Sequence, residues 1–165
     1  MNTSRTIYPY KVRKAGGDEK NLSDYKGKVL MIVNSATGCG FTPQLQDLQK
    51  LRDELGQDFE VLAFPSNDFG KQEPLDGAAI NEFCEINYGV KFPVFDKVLV
   101  RGEHAHPLFK FLRDKKLNGN LSSQPRWNFH KYLINKKGEV VDYFYSFTKP
   151  YSSKIKKRIQ RLLNE

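Results

Sequence analysis

The sequence has 165 residues, of which 39% are apolar, 13% aromatic and 28% charged, a composition typical of a globular domain with a sizeable core. Its longest apolar run, residues 29–33, is far short of the roughly 18 residues that cross a bilayer, and residues 1–5 lead into no apolar signal segment. These features exclude a membrane-spanning protein, a secreted disulfide scaffold, a collagen and a coiled coil, and we expect a cytoplasmic protein.

The net charge of +8 is unevenly distributed along the chain. Residues 1–96 carry 11 basic and 14 acidic side chains, a net charge of −3, whereas residues 97–165 carry 16 and 5, a net charge of +11. Such a basic half suggests nucleic acid or an acidic partner. Because no zinc-finger spacing or RNA-binding aromatic motif accompanies it, we interpret the basic C-terminal stretch as a solvated helix face and expect no nucleic-acid partner.

The first half of the chain predicts a hairpin and then a strand–helix–strand unit. Residues 16–18, Gly-Gly-Asp, indicate the hairpin turn. An apolar strand is predicted at 29–34, a helix with Thr42 as its cap and Pro43 at its first position, and a second strand at 59–64. Four leucines share one face of that helix and a glycine ends it: Leu45, Leu48, Leu51, Leu55 and Gly56. Strand, helix and strand of these lengths predict a parallel pair.

The second half predicts further helices and a terminal hairpin. Asp76 is expected to cap a helix whose apolar face carries Ile80, Phe83 and Cys84, with Gly89 at its end. The remaining predicted elements are a short strand at 92–100, a helix from His106-Pro107 to residue 112, a loop at 117–126, strands at 129–134 and 140–147 joined by a turn at 135–138, and a basic helix at 152–163. The pattern predicts one α/β domain, 1–165, with a central mixed sheet flanked by helices and an N-terminal hairpin.

Cys39 lies between a predicted central strand and a helix start. Unpaired N–H groups and the helix dipole favour an anion there, which populates the nucleophilic thiolate. The motif is Cys-x-x-Thr, so a single thiolate is available to attack an electrophile such as a peroxide O–O bond. From position alone, a buried cysteine in a turn is the alternative. Cys84, on the apolar face of its helix, is by position a buried structural thiol.

Four segments follow one another in a characteristic order. They are VNSATGCGFTPQ at 33–44, FPSNDFGKQEP at 64–74, FCEINYGVKFP at 83–93 and RWNFHK at 126–131. Together they resemble the glutathione peroxidase family, which has a thioredoxin-like fold, and the resemblance extends over about residues 8–150. In that family, similar segments hold the peroxidatic cysteine or selenocysteine, a catalytic glutamine, the resolving cysteine of cysteine-type members and a Trp-Asn-Phe motif.

The resemblance implies catalytic roles for Cys39, Gln72, Trp127 and Asn128, with Cys84 as the resolving cysteine. The amides and the indole N–H are neutral donors that can stabilise a thiolate and a hydroxide leaving group. Without the resemblance, a loop glutamine, a core tryptophan and a turn-forming asparagine would be the favoured interpretations. Because neighbours on a regular strand point to opposite faces, we expect Trp127 and Asn128 at an irregular junction just after Pro125.

The implied activity is that of a thiol peroxidase acting on hydrogen peroxide and organic or lipid hydroperoxides. A sulfenic acid on Cys39 would condense with Cys84 to a disulfide, and thioredoxin is the expected reductant because a dithiol protein reduces such a disulfide by exchange. A helical Cys84 is expected to reach Cys39 only if residues 76–89 unwind. The alternatives are a glutathione-dependent one-cysteine peroxidase, a peroxide sensor that oxidises a partner protein, and an inactive thioredoxin-like module. No cofactor, metal or stable membrane insertion is expected.

The chain departs from the family pattern at a few positions. Ser66 stands where many cysteine-type members carry a third cysteine, and Asp68 stands where glutamine is usual, which adds a negative charge near the site loop. The loop at 117–125 is short where tetrameric selenium-type members have a longer segment, which implies a monomer.

The histidines give weak signals. His104 and His106 offer only two metal ligands, and a similar Ala-His-Pro turn in the family indicates a structural His106. A hydrolase triad of Cys39, His130 and Asn128 is conceivable but has no other support.

Overall fold

The computed structural model describes residues 5–165. The expectation that the chain does not start with a signal segment was drawn mainly from residues 1–4, which lie outside the described part. The strands are β1 (Lys11–Arg13), β2 (Glu19–Asn21), β3 (Val29–Ser35), β4 (Phe59–Pro65), β5 (Lys131–Ile134) and β6 (Val140–Phe144). The helices are α1 (Gln44–Leu55), α2 (Ala78–Tyr88), α3 (Pro107–Arg113), α4 (Lys115–Asn118) and α5 (Ser153–Leu163).

The central sheet has the strand order β4-β3-β5-β6, and β1 and β2 form a separate antiparallel hairpin. β3 and β4 are parallel, in a register that runs from Val29 beside Phe59 to Ser35 beside Pro65. β5 is antiparallel to both β3 and β6. The mixed sheet, the parallel pair and the N-terminal hairpin are therefore as predicted.

β3 is the centre of the molecule because all seven of its residues are buried. Successive side chains on a strand point to opposite faces, so its residues divide between two apolar clusters. Met31 and Val33 pack in one cluster with buried residues of α1, α2 and α5, and Leu30 and Ile32 pack in the other with buried residues of α3. β3 therefore lies between helices on both faces of the sheet, and the chain leaves its carboxyl end to form α1. Within residues 5–165, no helix has the length and apolarity needed to cross a membrane.

The residues predicted to cap α1 and α2, Thr42 and Asp76, do not cap these helices in the structure. α1 begins at Gln44, with Pro43 in its cap position, and the Thr42 hydroxyl is used by the turn around Cys39 instead. α2 begins at Ala78 after Gly77, which lies outside the first turn, and no side chain caps it. The Asp76 carboxylate pairs with Lys97 (3.0 Å). Both side chains assigned to capping thus bind elsewhere, Thr42 within the turn before α1 and Asp76 to a lysine of a later segment.

The predicted strand at 92–100 is wrong. Only Val94 and Phe95 form isolated bridges, to Ala63 and Lys14. Pro93 has no N–H to donate, so a regular ladder cannot continue through it. The short helix α4 also lies where the start of a loop was predicted, and β5 begins two residues later than expected.

The basic C-terminal helix α5 has the predicted amphipathic form. Ser152 caps it, and Ile155, Ile159 and Leu162 are its buried face. Lys156 pairs with Glu54 (3.1 Å) and Arg158 with Asp142 (2.9 Å), whereas Lys154, Lys157 and Arg161 are exposed. The basic residues opposite the buried face are thus paired with acidic residues or exposed, as expected from the amphipathic pattern.

Candidate active site

Cys39 lies in the turn that joins β3 to α1. The Cys39 N–H donates to Thr42 Oγ1 (2.9 Å), and the Thr42 hydroxyl donates to the Ala36 carbonyl (2.7 Å), so one threonine closes the turn on both sides. The Phe41 N–H donates to Cys39 Sγ (3.3 Å), while the residue as a whole is 8% exposed. The sulfur is therefore held in place by a backbone donor from the turn that leads into α1.

Gln72 is brought to this turn by an abrupt reversal of its loop. Gly70 and Lys71 both have left-handed backbone conformations, with φ of +67° and +52°. For a non-glycine residue such as Lys71 this conformation costs about 1–2 kcal/mol. The reversal places the Gln72 carbonyl 2.8 Å from the Gly38 N–H, which donates to it. The loop that carries the glutamine is therefore fixed to the residue directly before Cys39.

Trp127 and Asn128 lie in an irregular turn just before β5, as predicted. Asn128 is fully buried, and its Nδ2 donates to Gln72 Oε1 (3.0 Å) and to the Phe69 carbonyl (3.4 Å). Phe129 follows with a left-handed φ of +67°, which breaks the alternation of a regular strand. Since Oε1 accepts from Asn128, the Nε2 group of Gln72 is left to donate elsewhere.

Asn34, near the end of β3, fixes this turn from the other side, a role that sequence reasoning did not assign to it. Its Nδ2 donates to the Trp127 carbonyl (3.0 Å), and its own carbonyl accepts from the Phe129 N–H (2.6 Å). A polar residue within an apolar strand, Val29–Ser35, was the available signal. Asn34 connects the strand that leads to Cys39 with the turn that carries Trp127 and Asn128.

The Trp127 indole is 37% exposed and packs against Phe69, with ring centroids 5.9 Å apart. With Phe41, Tyr145 and Phe147 it lines an open, mostly apolar groove of about 410 Å³, and Arg126 is the one charged residue in its lining. Phe41, one of the lining residues, also donates its backbone N–H to Cys39 Sγ, so the groove lies next to the turn that carries Cys39. The structure thus brings Cys39, Gln72, Trp127 and Asn128 together through a continuous set of contacts.

Cys84 lies in α2 and is only 2% exposed. Burial, with a smaller contribution from the charge of Glu73, raises the pKa of its thiol to about 12. Cys39 and Cys84 are both free thiols in this structure. In this conformation Cys84 is held as a neutral thiol within the apolar cluster that also contains Cys39.

Glu73 is a second residue that sequence reasoning missed, because it stands in a polar loop segment that predicts exposure. It is fully buried, and burial raises the pKa of its carboxyl. Its carboxylate accepts from the Thr37 N–H (3.2 Å) and the Thr37 hydroxyl (2.5 Å). Thr37 is two residues before Cys39, so Glu73 fixes the entry to the cysteine turn.

Asp68 and His106, which the sequence analysis also considered, both accept hydrogen bonds from backbone N–H groups. Asp68 Oδ2 accepts from the backbone N–H groups of Val100 (2.6 Å) and Arg101 (3.2 Å). His106 Nδ1 accepts from the Leu108 N–H and caps α3.

The conceivable hydrolase triad is not formed. His130 Nε2 lies 3.0 Å from Ser123 Oγ, and His130 Nδ1 is buried without a partner. Burial lowers the pKa of His130 to about 4, so the imidazole is neutral. It packs among tyrosine rings, at 4.9 Å from Tyr132 and 5.6 Å from Tyr145.

Replacing Gly38 by alanine is expected to impair the site. The added Cβ would lie 2.9 Å from the Gln72 carbonyl oxygen, closer than real Cβ atoms approach, so the glutamine loop must shift. A displacement of about 1 Å at a catalytic group costs up to about 100-fold in rate, and we expect a loss of about tenfold or more in peroxide reduction. Gly40→Ala is the matched control because its Cβ would meet nothing within 4 Å. Equal activity of the two variants would contradict this account of the loop.

Comparison with known proteins gives consistent matches. The family model described as "Glutathione peroxidase" matches residues 7–113. A Halalkalibacterium halodurans protein named "Glutathione peroxidase homolog BsaA" is 48% identical over 159 residues, which cover 96% of this chain and 99% of that protein. A Synechocystis protein named "Hydroperoxy fatty acid reductase gpx1" is 45% identical over 168 residues, with 97% of each chain covered.

Solved structures match the fold over nearly the whole chain. The crystal structure of Trgpx in its apo form matches with a TM-score of 0.76 at 35% identity, and the match covers 99% of this chain and 98% of that one. The expectation of a thioredoxin-like fold is confirmed.

Proposed function

The chain belongs to the glutathione peroxidase family and is a peroxidase, and from that premise we propose that it works through Cys39, Cys84 and thioredoxin. In this proposal Cys39 is oxidised by hydrogen peroxide or an organic or lipid hydroperoxide. Cys84 resolves the product to a disulfide, which thioredoxin reduces. The observation that carries the proposal is the direct bonding of Gln72 to both the Cys39 turn and Asn128.

In the first step the Cys39 thiolate attacks the distal oxygen of the peroxide. The O–O bond breaks, the sulfur is oxidised to a sulfenic acid, and the leaving hydroxide or alkoxide takes up a proton as water or an alcohol. Gln72 and Trp127 are proposed to stabilise directly the charge that moves from sulfur to the leaving oxygen, and Asn128 to do so through its bond to Gln72 Oε1. Neutral donors suit this task because they stabilise an anion without holding it as an ion pair does.

In the second step the Cys84 sulfur attacks the Cys39 sulfenic sulfur, a disulfide forms and water leaves. A disulfide needs the two Cα atoms within about 7 Å, and the buried Cys84 thiol must be released from its helix to react. α2 is weakly anchored, since Ile80 and Cys84 are its only buried residues and its start has no side-chain cap. These features support the proposal that residues 76–89 unwind during each cycle.

Oxidation by peroxide is expected to increase hydrogen exchange in α2. Backbone amides at 78–88 should exchange about tenfold faster or more in the oxidised protein than in the reduced protein, because their helical hydrogen bonds open. α1, whose four leucines anchor it more firmly, serves as the internal control and should be unchanged. Identical exchange of α2 in the two forms would rule out the unwinding step.

The groove at Trp127 supports organic hydroperoxides as substrates in addition to hydrogen peroxide. Its aromatic lining offers an apolar surface beside Cys39 on which a hydrocarbon chain can be buried. The Synechocystis relative named as a hydroperoxy fatty acid reductase is consistent with such a substrate class.

Thioredoxin is the proposed reductant because an intramolecular disulfide is reduced readily by exchange with a dithiol. The excess of basic residues in the C-terminal part, including the exposed Lys154, Lys157 and Arg161, suits an acidic partner surface. Such chemistry needs a compartment in which thiols are kept reduced, so the proposal places the protein in the cytoplasm. The proposed working form is a monomer, because the loop at 117–125 is short.

Peroxide-dependent NADPH consumption tests the proposal. One arm contains thioredoxin and its reductase, the other glutathione and its reductase, and each is run with hydrogen peroxide and with an alkyl hydroperoxide. We expect turnover with thioredoxin on both peroxides. Turnover with glutathione alone would identify a one-cysteine peroxidase, and a single oxidation without sustained turnover in either arm would favour a peroxide sensor.

A further inference from the structure

Lys131, the first residue of β5, is a fully buried lysine. Its Nζ donates to three main-chain carbonyls, those of Phe129 (2.7 Å), Ser146 (3.3 Å) and Tyr145 (3.5 Å). None of the ion pairs formed by residues 5–165 includes it. A buried charge without an opposite charge is costly, so a lysine at this position needs a specific reason.

The strongest of these bonds holds a strained residue. Phe129 has a left-handed φ of +67°, and both of its main-chain groups are fixed: its N–H donates to the Asn34 carbonyl, and its carbonyl accepts from Lys131. Strained conformations of this kind persist only where several contacts determine them. Asn128 directly precedes Phe129, so the same contacts decide where the Asn128 amide points.

The second carbonyl connects the turn to the helix that follows Cys39. The Ser146 carbonyl accepts from Lys131 and also from Gln44 Nε2 (2.8 Å), and Gln44 is the first residue of α1. Tyr145, whose carbonyl also accepts from Lys131, lines the groove beside Trp127. One ammonium group therefore joins the Trp127–Asn128 turn, the groove wall and the start of α1.

We propose that the Lys131 ammonium is a positioning residue for peroxide reduction: it holds the left-handed turn at Phe129 so that Asn128 bonds to Gln72 and Trp127 borders the groove. This inference rests on the proposed role of Cys39. Lys131 itself touches no reacting atom, and it acts through the carbonyls that it binds.

The charge of Lys131 gives the inference a pH signature. Burial lowers the pKa of Lys131 to about 7. Among the groups around it, β3 contributes the uncharged Val33 and Asn34, β6 the uncharged Phe144 and α1 the uncharged Gln44. The titratable or charged neighbours are Tyr145, the neutral His130 and Arg126. The positive charges of Arg126 and Lys131 both lower the pKa of His130. The ammonium is present below its pKa and lost above it, so the positioning effect should weaken as the pH rises.

The experiment compares Lys131→Met with the parent protein, both in a Cys84→Ser background so that only Cys39 is oxidised. Methionine has a similar length but no donor. The rate constant for oxidation of Cys39 by hydrogen peroxide is measured by quenched alkylation from about pH 6 to about pH 9, and the emission of Trp127, the one tryptophan of the chain, is recorded. Lys136→Met is the matched control, because Lys136 Nζ also donates to a backbone carbonyl, that of Leu163 (2.6 Å), away from the turn.

We expect the ratio of the parent rate constant to that of Lys131→Met to be about tenfold or more near pH 6 and to fall towards one at high pH. The pH dependence of Cys39 alkylation without peroxide is measured for both proteins, so that any difference in thiol ionisation is separated from the ratio. The Trp127 emission should shift in Lys131→Met and not in Lys136→Met. A ratio of one throughout, or a ratio that does not change with pH, would overturn the inference.

Two further measurements keep the test decisive. If Lys131→Met fails to fold, the Trp127 emission of the parent protein is titrated instead, and the absence of a transition between about pH 6 and about pH 9 would count against the role of the ammonium. If Cys39 of the parent is not oxidised by peroxide at any pH, the proposed function fails, which is distinct from failure of the Lys131 inference.

Discussion

Cys39→Ser is expected to abolish peroxide reduction, with a loss of about 10⁴-fold or more in the rate constant. A serine hydroxyl is not oxidised by peroxides, so the step that breaks the O–O bond has no acceptor for the oxygen. The measurement is peroxide-dependent NADPH consumption with thioredoxin and its reductase, at a fixed concentration of hydrogen peroxide.

The control for this variant is its fold. Serine can accept the Phe41 N–H as the sulfur does, and Cys39 is a small side chain in a turn closed by Thr42, so the melting temperature should change little. Retention of more than about one tenth of the activity in a well-folded variant would show that another group is oxidised, since loss of a true nucleophile leaves only a small residual rate.

Cys84→Ser is expected to remove sustained turnover with thioredoxin, by about 100-fold or more, while the first oxidation of Cys39 is unchanged. Without a resolving thiol the sulfenic acid cannot become an intramolecular disulfide, which is the form that a dithiol reduces. The two halves of the cycle are separated by measuring one-turnover oxidation of Cys39 and steady-state NADPH consumption on the same sample.

The serine replaces a buried, neutral thiol with a group of similar size, so stability should be affected less than activity. Steady-state turnover that remains at the level of the unmodified protein with thioredoxin would show that Cys84 is a bystander. The same variant discriminates the sensor alternative, because a mixed disulfide trapped with one dominant protein would indicate transfer of oxidation to that partner.

The fold was largely predictable because its central elements have strong local signals. The apolar runs at β3 and β4, with an amphipathic leucine helix between them, predict a parallel pair whatever lies elsewhere. The turn Asn135–Gly138 similarly predicts the β5–β6 hairpin, in which the Gly138 N–H donates to the Asn135 carbonyl. At the site, Cys39 was identifiable from its place between strand and helix, whereas Gln72, Trp127 and Asn128 were singled out only through the resemblance.

What the sequence did not predict depends on contacts between distant segments. Asp76 has the residue type of a cap, yet it pairs with Lys97 across a loop. Glu73 and Lys131 are charged residues that composition places at the surface, and both are fully buried because backbone groups and a threonine from other segments satisfy them. The left-handed Phe129 is also invisible locally, since an aromatic residue beside a strand predicts regular extension.

Intact-mass measurement after one equivalent of hydrogen peroxide tests the central claim most directly. The account predicts that the protein becomes about 2 Da lighter and loses both alkylatable thiols, because a Cys39–Cys84 disulfide forms. The Cys84→Ser variant should instead become about 16 Da heavier, as expected for a sulfenic acid. A protein with intact Cys84 that stays about 16 Da heavier, with Cys84 still open to alkylation after unfolding, would contradict the two-cysteine mechanism.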